Sequence, residues 1–329
     1  MRPFRYATPS TLEQATNLLR AEPSAKPLGG GTNLVDLMRE GIESPTHLVD
    51  VRRLPLAEIR QMPEGGVRIG AGAKNSDTAN HPLIRDRYPL LSKALLSGAS
   101  PQLRNMATAG GNLMQRTSCY YFMDPAFPAC NKRQPGSGCA AIGGENRIHA
   151  IFGASEACIA VHPSDMCVAL LALDAVIQVE GPHGRRSIPM HDFHRLPGNA
   201  PQLDTNLARD ELILAIDLPP SLFGHRVEYL KIRDRQSFAF ALVSCAAALE
   251  ISDGVVRVAR LAFGGVAHKP WRAFAAEERL LGEKPEIAAF ARAAQLAVQG
   301  ATPLTGNAWK VQLMRKTAER ALISAGGTA

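Results

Sequence analysis

Four of the six cysteines in this 329-residue chain, Cys119, Cys130, Cys139 and Cys158, fall within one 40-residue stretch. Ten, eight and eighteen residues separate them in turn. The surrounding segment, 117–162, mixes Pro, Gly, Cys, Asn and aromatic residues and shows neither helical nor strand periodicity. A compact domain keeps so long an irregular segment for a reason. Four thiolates on a wrapping loop suit a four-iron four-sulfur cluster, because all four ligands must converge on one small cube. The spacing lacks the C-x-x-C pairs of zinc ribbons and ferredoxins, so zinc and disulfides or free thiols stay open beside the cluster. Cys167 and Cys245 sit in apolar helix and strand patterns and read as small core residues.

A second chemistry is written in glycine. Lys26, Pro27 and Leu28 lead into Gly29, Gly30 and Gly31, then Thr32, Asn33 and Leu34. Three successive positions without side-chain bulk let backbone N–H groups approach a ligand closely, and the helix expected to follow adds its positive end, which suits a pyrophosphate. The loop is neither a P-loop nor a G-x-G-x-x-G fingerprint, and alone it reads as a tight turn. Thr108, Ala109, Gly110, Gly111, Asn112 and Leu113 form a second small-residue loop, with Thr108 and Asn112 offering side-chain hydrogen bonds. By itself it is a strand-end turn. Two such loops about 80 residues apart point to a diphosphate cradle.

Two further segments carry polar groups. His162, Pro163, Ser164 and Asp165 precede an apolar helix that Ser164 or Asp165 would cap, and a cap is compatible with a ligand contact. Tyr229, Lys231, Arg233 and Arg235 alternate along a strand whose plain reading is a solvated face. The nine histidines form no H-E-x-x-H set, and no Gly-x-Ser-x-Gly elbow occurs, which sets aside metalloprotease and hydrolase readings.

The elements that must position these groups are legible in outline. A capping box from Ser10 to Glu13 predicts a helix with Leu12, Ala15, Leu18 and Leu19 on one face. Strands are predicted at 26–28, 47–51, 67–71, 212–218, 240–251 and 255–263, with Asp253 and Gly254 as a hairpin turn. A hairpin is expected from 175–180 and 186–188 around residues 181–184, and helices at 34–38, 90–96, 165–173 and through 271–324. A linker is placed near Pro219, Pro220 and Ser221.

Composition sets outer bounds. With 46% hydrophobic and 20% charged residues, the chain can bury cores for two or three domains. Net charge is +7 and the isoelectric point about 9.3, but the basic residues are dispersed without interleaved aromatics, which argues against nucleic acid. A basic face could instead dock acidic partners. No run reaches the ~18 apolar residues of a membrane span, and the N-terminus lacks a signal-peptide core.

Taken in chain order, segments 26–34, 108–113, 162–165 and 229–233 resemble the flavin subunits of the xanthine dehydrogenase family of molybdenum hydroxylases. The resemblance covers nearly the whole chain. The insertion in which Asn131, Lys132, Arg133, Gln134, Pro135, Gly136, Ser137 and Gly138 lead into Cys139 is similar to the flavin subunit of bacterial periplasmic aldehyde oxidoreductases, which carries a four-iron four-sulfur cluster. The resemblance implies an α+β chain. Two α/β subdomains of the vanillyl-alcohol-oxidase type, 1–54 and 55–220, would hold FAD, with the iron-sulfur insertion at about 117–160 and an α+β C-terminal domain at 221–329.

It also implies roles. Residues Lys26, Pro27, Leu28, Gly29, Gly30, Gly31, Thr32, Asn33 and Leu34 would wrap the FAD diphosphate, and Thr108, Gly111 and Asn112 would hold its second side. Ser164 belongs to the same site, Asp165 would bond ribityl or ribose hydroxyls, and Lys231 would lie near the isoalloxazine ring. Cys119, Cys130, Cys139 and Cys158 would ligate the cluster. No catalytic residue is implied here beyond the flavin. A large partner subunit with the molybdenum cofactor would oxidise an aldehyde or heteroaromatic carbon. A small two-iron-cluster subunit would relay electrons to FAD, and an external acceptor (ferredoxin, quinone, oxygen or NAD) would receive them. Location in the bacterial periplasm would then require co-export with a partner, the alternative being cytoplasmic. The rival readings are a stand-alone flavin oxidoreductase and a cysteine-stapled assembly protein without cofactor.

Overall fold

The computed structural model describes residues 1–327, and its architecture follows from three sheets made by three stretches of chain. In the first, strands Arg5–Ala7 and Ala25–Leu28 flank His47–Asp50, all parallel. Parallel neighbours need crossovers, and helices Leu12–Ala21 and Leu34–Arg39 supply them. Ala15 and Leu19 of the first helix pack with Ala25, Val49 and Leu54. Its N-cap is Thr11, whose hydroxyl accepts from the Gln14 amide at 3.2 Å, one residue later than the expected Ser10 box. Ser10 instead donates its amide to the Gln14 side chain at 2.9 Å. Both residues offer the same capping oxygen, so sequence type alone could not rank them.

The second sheet is antiparallel, in the order Ile59–Gln61, Val67–Gly70, Leu212–Leu218, Val176–Gly181, Gly184–Pro189. Helices Pro89–Ser97 and Asp165–Ala172 belong to its core. Every residue of Asp165–Ala172 is buried, as an all-round apolar helix requires. The third sheet, also antiparallel, runs Trp271–Arg272, Val255–Gly264, Val243–Ser252, Val227–Ile232. It packs with helices Phe274–Leu280, Ile287–Ala297 and Trp309–Gly326. Asp253 and Gly254 take φ of 55° and 75°, the left-handed pair of a type I′ hairpin turn. The tail is helical as expected except at Trp271–Arg272, which adds an edge strand to Val255–Gly264. The fold is α+β, in agreement with the sequence reading. Residues 117–160 hold only two single-turn helices, Tyr120–Met123 and Ala140–Gly143.

Asp50 ends the central parallel strand beside the glycine loop, and the Val51 amide donates to Leu28 O at 3.1 Å. Arg52 bonds its carboxylate, outweighing burial, and the Tyr6 hydroxyl adds a third contact, so the Asp50 pKa falls from 3.8 to about 2. A depressed carboxylate stabilises the fold above its unfolded pKa, and that contribution is lost as pH falls through the folded value. Arg52 is half-exposed, which screens the pair. Asp50→Asn is expected to cost about 1 to 2 kcal/mol at pH 6, with the gap closing near pH 2, in urea unfolding.

Candidate cofactor sites

The glycine loop lies between strand Ala25–Leu28 and helix Leu34–Arg39, packed on the second loop. A Cβ built at Gly30 would lie 1.9 Å from Met106 O and 3.0 Å from Ala107 Cα, and one at Gly29 would lie 2.7 Å from Thr108 Oγ1. Gly31 has φ +76°. The two loops touch backbone to backbone, and only glycine permits that approach. Among the described residues, the amides of Gly30, Gly31, Thr32 and Asn33 donate to no protein acceptor. Four consecutive amide donors left to an outside acceptor fit a diphosphate. Lys26 is half-exposed and 3.7 Å from Glu43, Pro27 is exposed, and Leu28 and Leu34 are half-buried.

The second loop is built differently. It forms a short helix, Ala109–Leu113, whose cap Thr108 accepts from the Gly111 amide at 3.2 Å. The Ala109, Gly110 and Asn112 amides donate to Ala73 O, Ala71 O and Thr108 O. The backbone donors of this loop are therefore engaged by the fold itself, and the side chains of Thr108 and Asn112 are what it offers. Asn112 Oδ1 bonds the Ser164 hydroxyl, which also caps Asp165–Ala172 by accepting from Cys167 N at 3.1 Å.

Asp165 and Lys231 form a buried pair. The Asp165 carboxylate accepts from Lys231 Nζ at 2.7 Å and from the Tyr229 hydroxyl at 2.6 Å, and Nζ also reaches Ser97 O at 3.3 Å. Their side chains are 7% and 4% exposed, so the plain reading of a solvated strand face fails at Lys231. Removing one partner of such a pair strands the other charge. Lys231→Met is expected to lower unfolding stability by about 3 kcal/mol and to lower retained flavin, read by denaturant titration and absorbance.

The four clustered cysteines line one small cavity with Phe122, Asn131 and Lys132. Their neighbours in sequence draw them together. Cys130 and Cys139 pair as an antiparallel bridge, with Asn131 N donating to Gly138 O at 2.7 Å. Asn131 Nδ2 donates to Ala157 O, next to Cys158, at 3.0 Å. Arg133 donates to Tyr121 O and Phe122 O at 2.8 and 2.9 Å, just after Cys119. Burial pushes the Cys119 thiol up to about 12 and the Cys158 thiol to about 11. Metal binding there would displace these protons. All six cysteines are unpaired.

The model of the FAD binding domain in molybdopterin dehydrogenase matches residues 2–221, and that of the CO dehydrogenase flavoprotein C-terminal domain matches 228–325. The chain belongs to this family of FAD-binding molybdenum hydroxylase subunits. It is 53% identical to the aldehyde oxidoreductase FAD-binding subunit PaoB of Escherichia coli K12 over 85% of this chain and 86% of that one. Identity to the glyceraldehyde dehydrogenase medium chain of Sulfolobus acidocaldarius is 28%, over 85% and 82%. Among solved structures, carbon monoxide dehydrogenase from Hydrogenophaga pseudoflava superposes with TM-score 0.77 at 27% identity, covering 99% and 98%.

As a family member the chain is an FAD-binding oxidoreductase subunit whose molybdenum centre lies on a partner. The stand-alone reading is not favoured, since these relatives are subunits or chains of larger enzymes. No helix of the described residues is long and apolar enough to cross a membrane.

Sequence reasoning missed His149, buried, with Nε2 3.1 Å from Cys119 Sγ. A lone His 30 positions away gives no spacing signal. It named His162 and, as a core residue, Cys167, but did not bring them together with His194; the ligand atoms of the three lie within 4.8 Å of one another. Ser164 N donates to His162 Nδ1 at 3.3 Å, which leaves the ring proton on Nε2, and burial pushes the Cys167 thiol to about 12. A protonated nitrogen and a neutral thiol favour a packed polar core over a metal site there.

Proposed function

We propose that this chain is the FAD-carrying electron-transfer subunit of a molybdenum-dependent aldehyde oxidoreductase, holding a four-iron four-sulfur cluster on Cys119, Cys130, Cys139 and Cys158. The observation that carries the finer reading is the single cavity lined by all four cysteines. Its thiols converge from a loop that side chains of Asn131 and Arg133 hold in place, which is what a cube of metal and sulfide demands. The identity to an aldehyde oxidoreductase subunit supports the substrate class.

Flavin chemistry at this site would convert one-electron arrivals into delivery to an acceptor. The chain's own part is placement. Gly30 to Asn33 offer amides to the diphosphate, Thr108 and Asn112 close the other side with their side chains, Gly111 leaves room there by having none, and Ser164 with Asp165 orients the sugar end. Lys231, fixed by Asp165, would lie near the flavin ring and supply positive charge as the ring is reduced. Large molybdenum and small two-iron subunits are the proposed partners. An external acceptor and a periplasmic location, reached by co-export, complete the proposal. The domain limits proposed are 1–54, 55–220 and 221–329.

Purification from the native source tests this. The expected preparation contains three kinds of subunit, molybdenum, FAD and more iron than two two-iron clusters require, in the periplasmic fraction. A cytoplasmic chain isolated alone with FAD and no iron would contradict it.

A further inference from the structure

Lys132 sits between two of the clustered cysteines, and its side chain is 1% exposed. Lysine is rarely buried unless something holds its charge. Nζ donates to Pro201 O at 2.7 Å and to Asp204 Oδ1. Asp204 in turn accepts from Arg116 Nε at 2.9 Å, and Arg116 Nη1 donates to Glu43 at 2.5 Å. Glu43 lies 3.7 Å from Lys26, and the Arg116 amide donates to Asn33 Oδ1 at 3.1 Å. A continuous chain of ion pairs thus runs from the four-cysteine loop to the flavin loop. Arg116 also stacks its guanidinium 4.7 Å from the Phe122 ring centre, and Phe122 lines the cysteine cavity.

Two features do not follow from a purely structural role. Lys132 lines the same cavity as all four cysteines. An ammonium has three N–H donors, and among the described residues Nζ uses two. The third has no protein acceptor among them, on a residue that lines a cavity shared with four sulfurs. An apolar side chain would have filled that wall at no desolvation cost.

We propose that Lys132 is a positioning residue for the iron-sulfur site: Asp204 clamps its ammonium beside the four cysteines, where the fixed charge makes the bound cluster easier to reduce. This rests on the cluster reading above. Reduction adds one electron and one negative charge to a group already anionic through four thiolates, so a buried cation on a cavity-lining residue favours the reduced form. Hydrogen bonding to sulfur acts in the same direction.

The test uses the assembled complex, with iron, sulfide and FAD analysis and a dithionite titration of the cluster followed by electron paramagnetic resonance. Lys132→Met is expected to shift the cluster midpoint to lower potential, while Lys132→Arg stays near the parent protein. Should Lys132→Met shed its iron, Lys132→Gln provides the neutral comparison. Loss of iron from both neutral variants but not from Lys132→Arg would equally support a requirement for the charge. An unshifted midpoint in a neutral variant that keeps its iron overturns the inference, and so does loss of iron from all three. Absence of iron and sulfide from the parent protein would instead overturn the cluster reading on which it stands.

Discussion

Cys130→Ser protein is expected to lose nearly all the iron and acid-labile sulfide of this chain, about four of each, while Cys167→Ser and Cys245→Ser protein keeps them. The contrast follows from where the sulfurs lie. Cys130 is buried in the cavity that Cys119, Cys139 and Cys158 share, and its backbone pairs with that of Cys139 in an antiparallel β-bridge. Cys167 and Cys245 are fully buried in the cores of the second and third sheets. Three thiolates cannot close four corners of a cube, and metal binding is coupled to the order of the surrounding loop. Limited proteolysis should therefore cut the Cys130→Ser chain within residues 117–160 well before the parent. Zinc without sulfide in the parent would favour the structural-zinc reading, and paired cysteines by mass spectrometry would favour disulfides.

Gly30→Val is expected to reduce bound FAD at least tenfold in a protein that still folds. A Cβ at Gly30 would lie 1.9 Å from Met106 O, a backbone atom that cannot swing aside, so the two loops must separate. The free amides of residues 30–33 then lose their aim at a diphosphate. Gly41→Asn is the matched control, since Gly41 has φ +73° with nothing within 4 Å and asparagine tolerates that conformation. Far-ultraviolet dichroism and flavin absorbance per chain read the outcome. Full FAD in folded Gly30→Val protein would contradict assignment of this loop to the cofactor.

Much of this architecture is legible in the sequence because it is local. The helix expected at 90–96 is Pro89–Ser97, that at 165–173 is Asp165–Ala172, and the hairpin around 181–184 is formed by Val176–Gly181 and Gly184–Pro189. Strands Arg5–Ala7 and Ile59–Gln61 escaped notice, since three residues cannot display a period. Short helices Pro82–Arg87 and Pro101–Arg104 were also missed, although each announces itself with proline at its first position.

The sites divide the same way. Glycine triplets and clustered cysteines advertise themselves by type and spacing, whereas Lys132 meets Asp204 across 72 positions and Arg116 meets Glu43 across 73. No spacing rule reaches that far. The alternation of Tyr229, Lys231 and Arg233 looked like a wet strand face, because only the packing of Asp165–Ala172 near that strand turns Lys231 inward.

This chain moves electrons and does not itself oxidise the organic substrate. Mixing the purified, FAD-loaded chain anaerobically with an aldehyde and following flavin absorbance tests that division of labour. The isolated chain should stay fully oxidised over minutes, and bleaching should appear once the molybdenum and two-iron subunits are added. Bleaching by aldehyde in the isolated chain would instead make the flavin site itself the place of substrate oxidation.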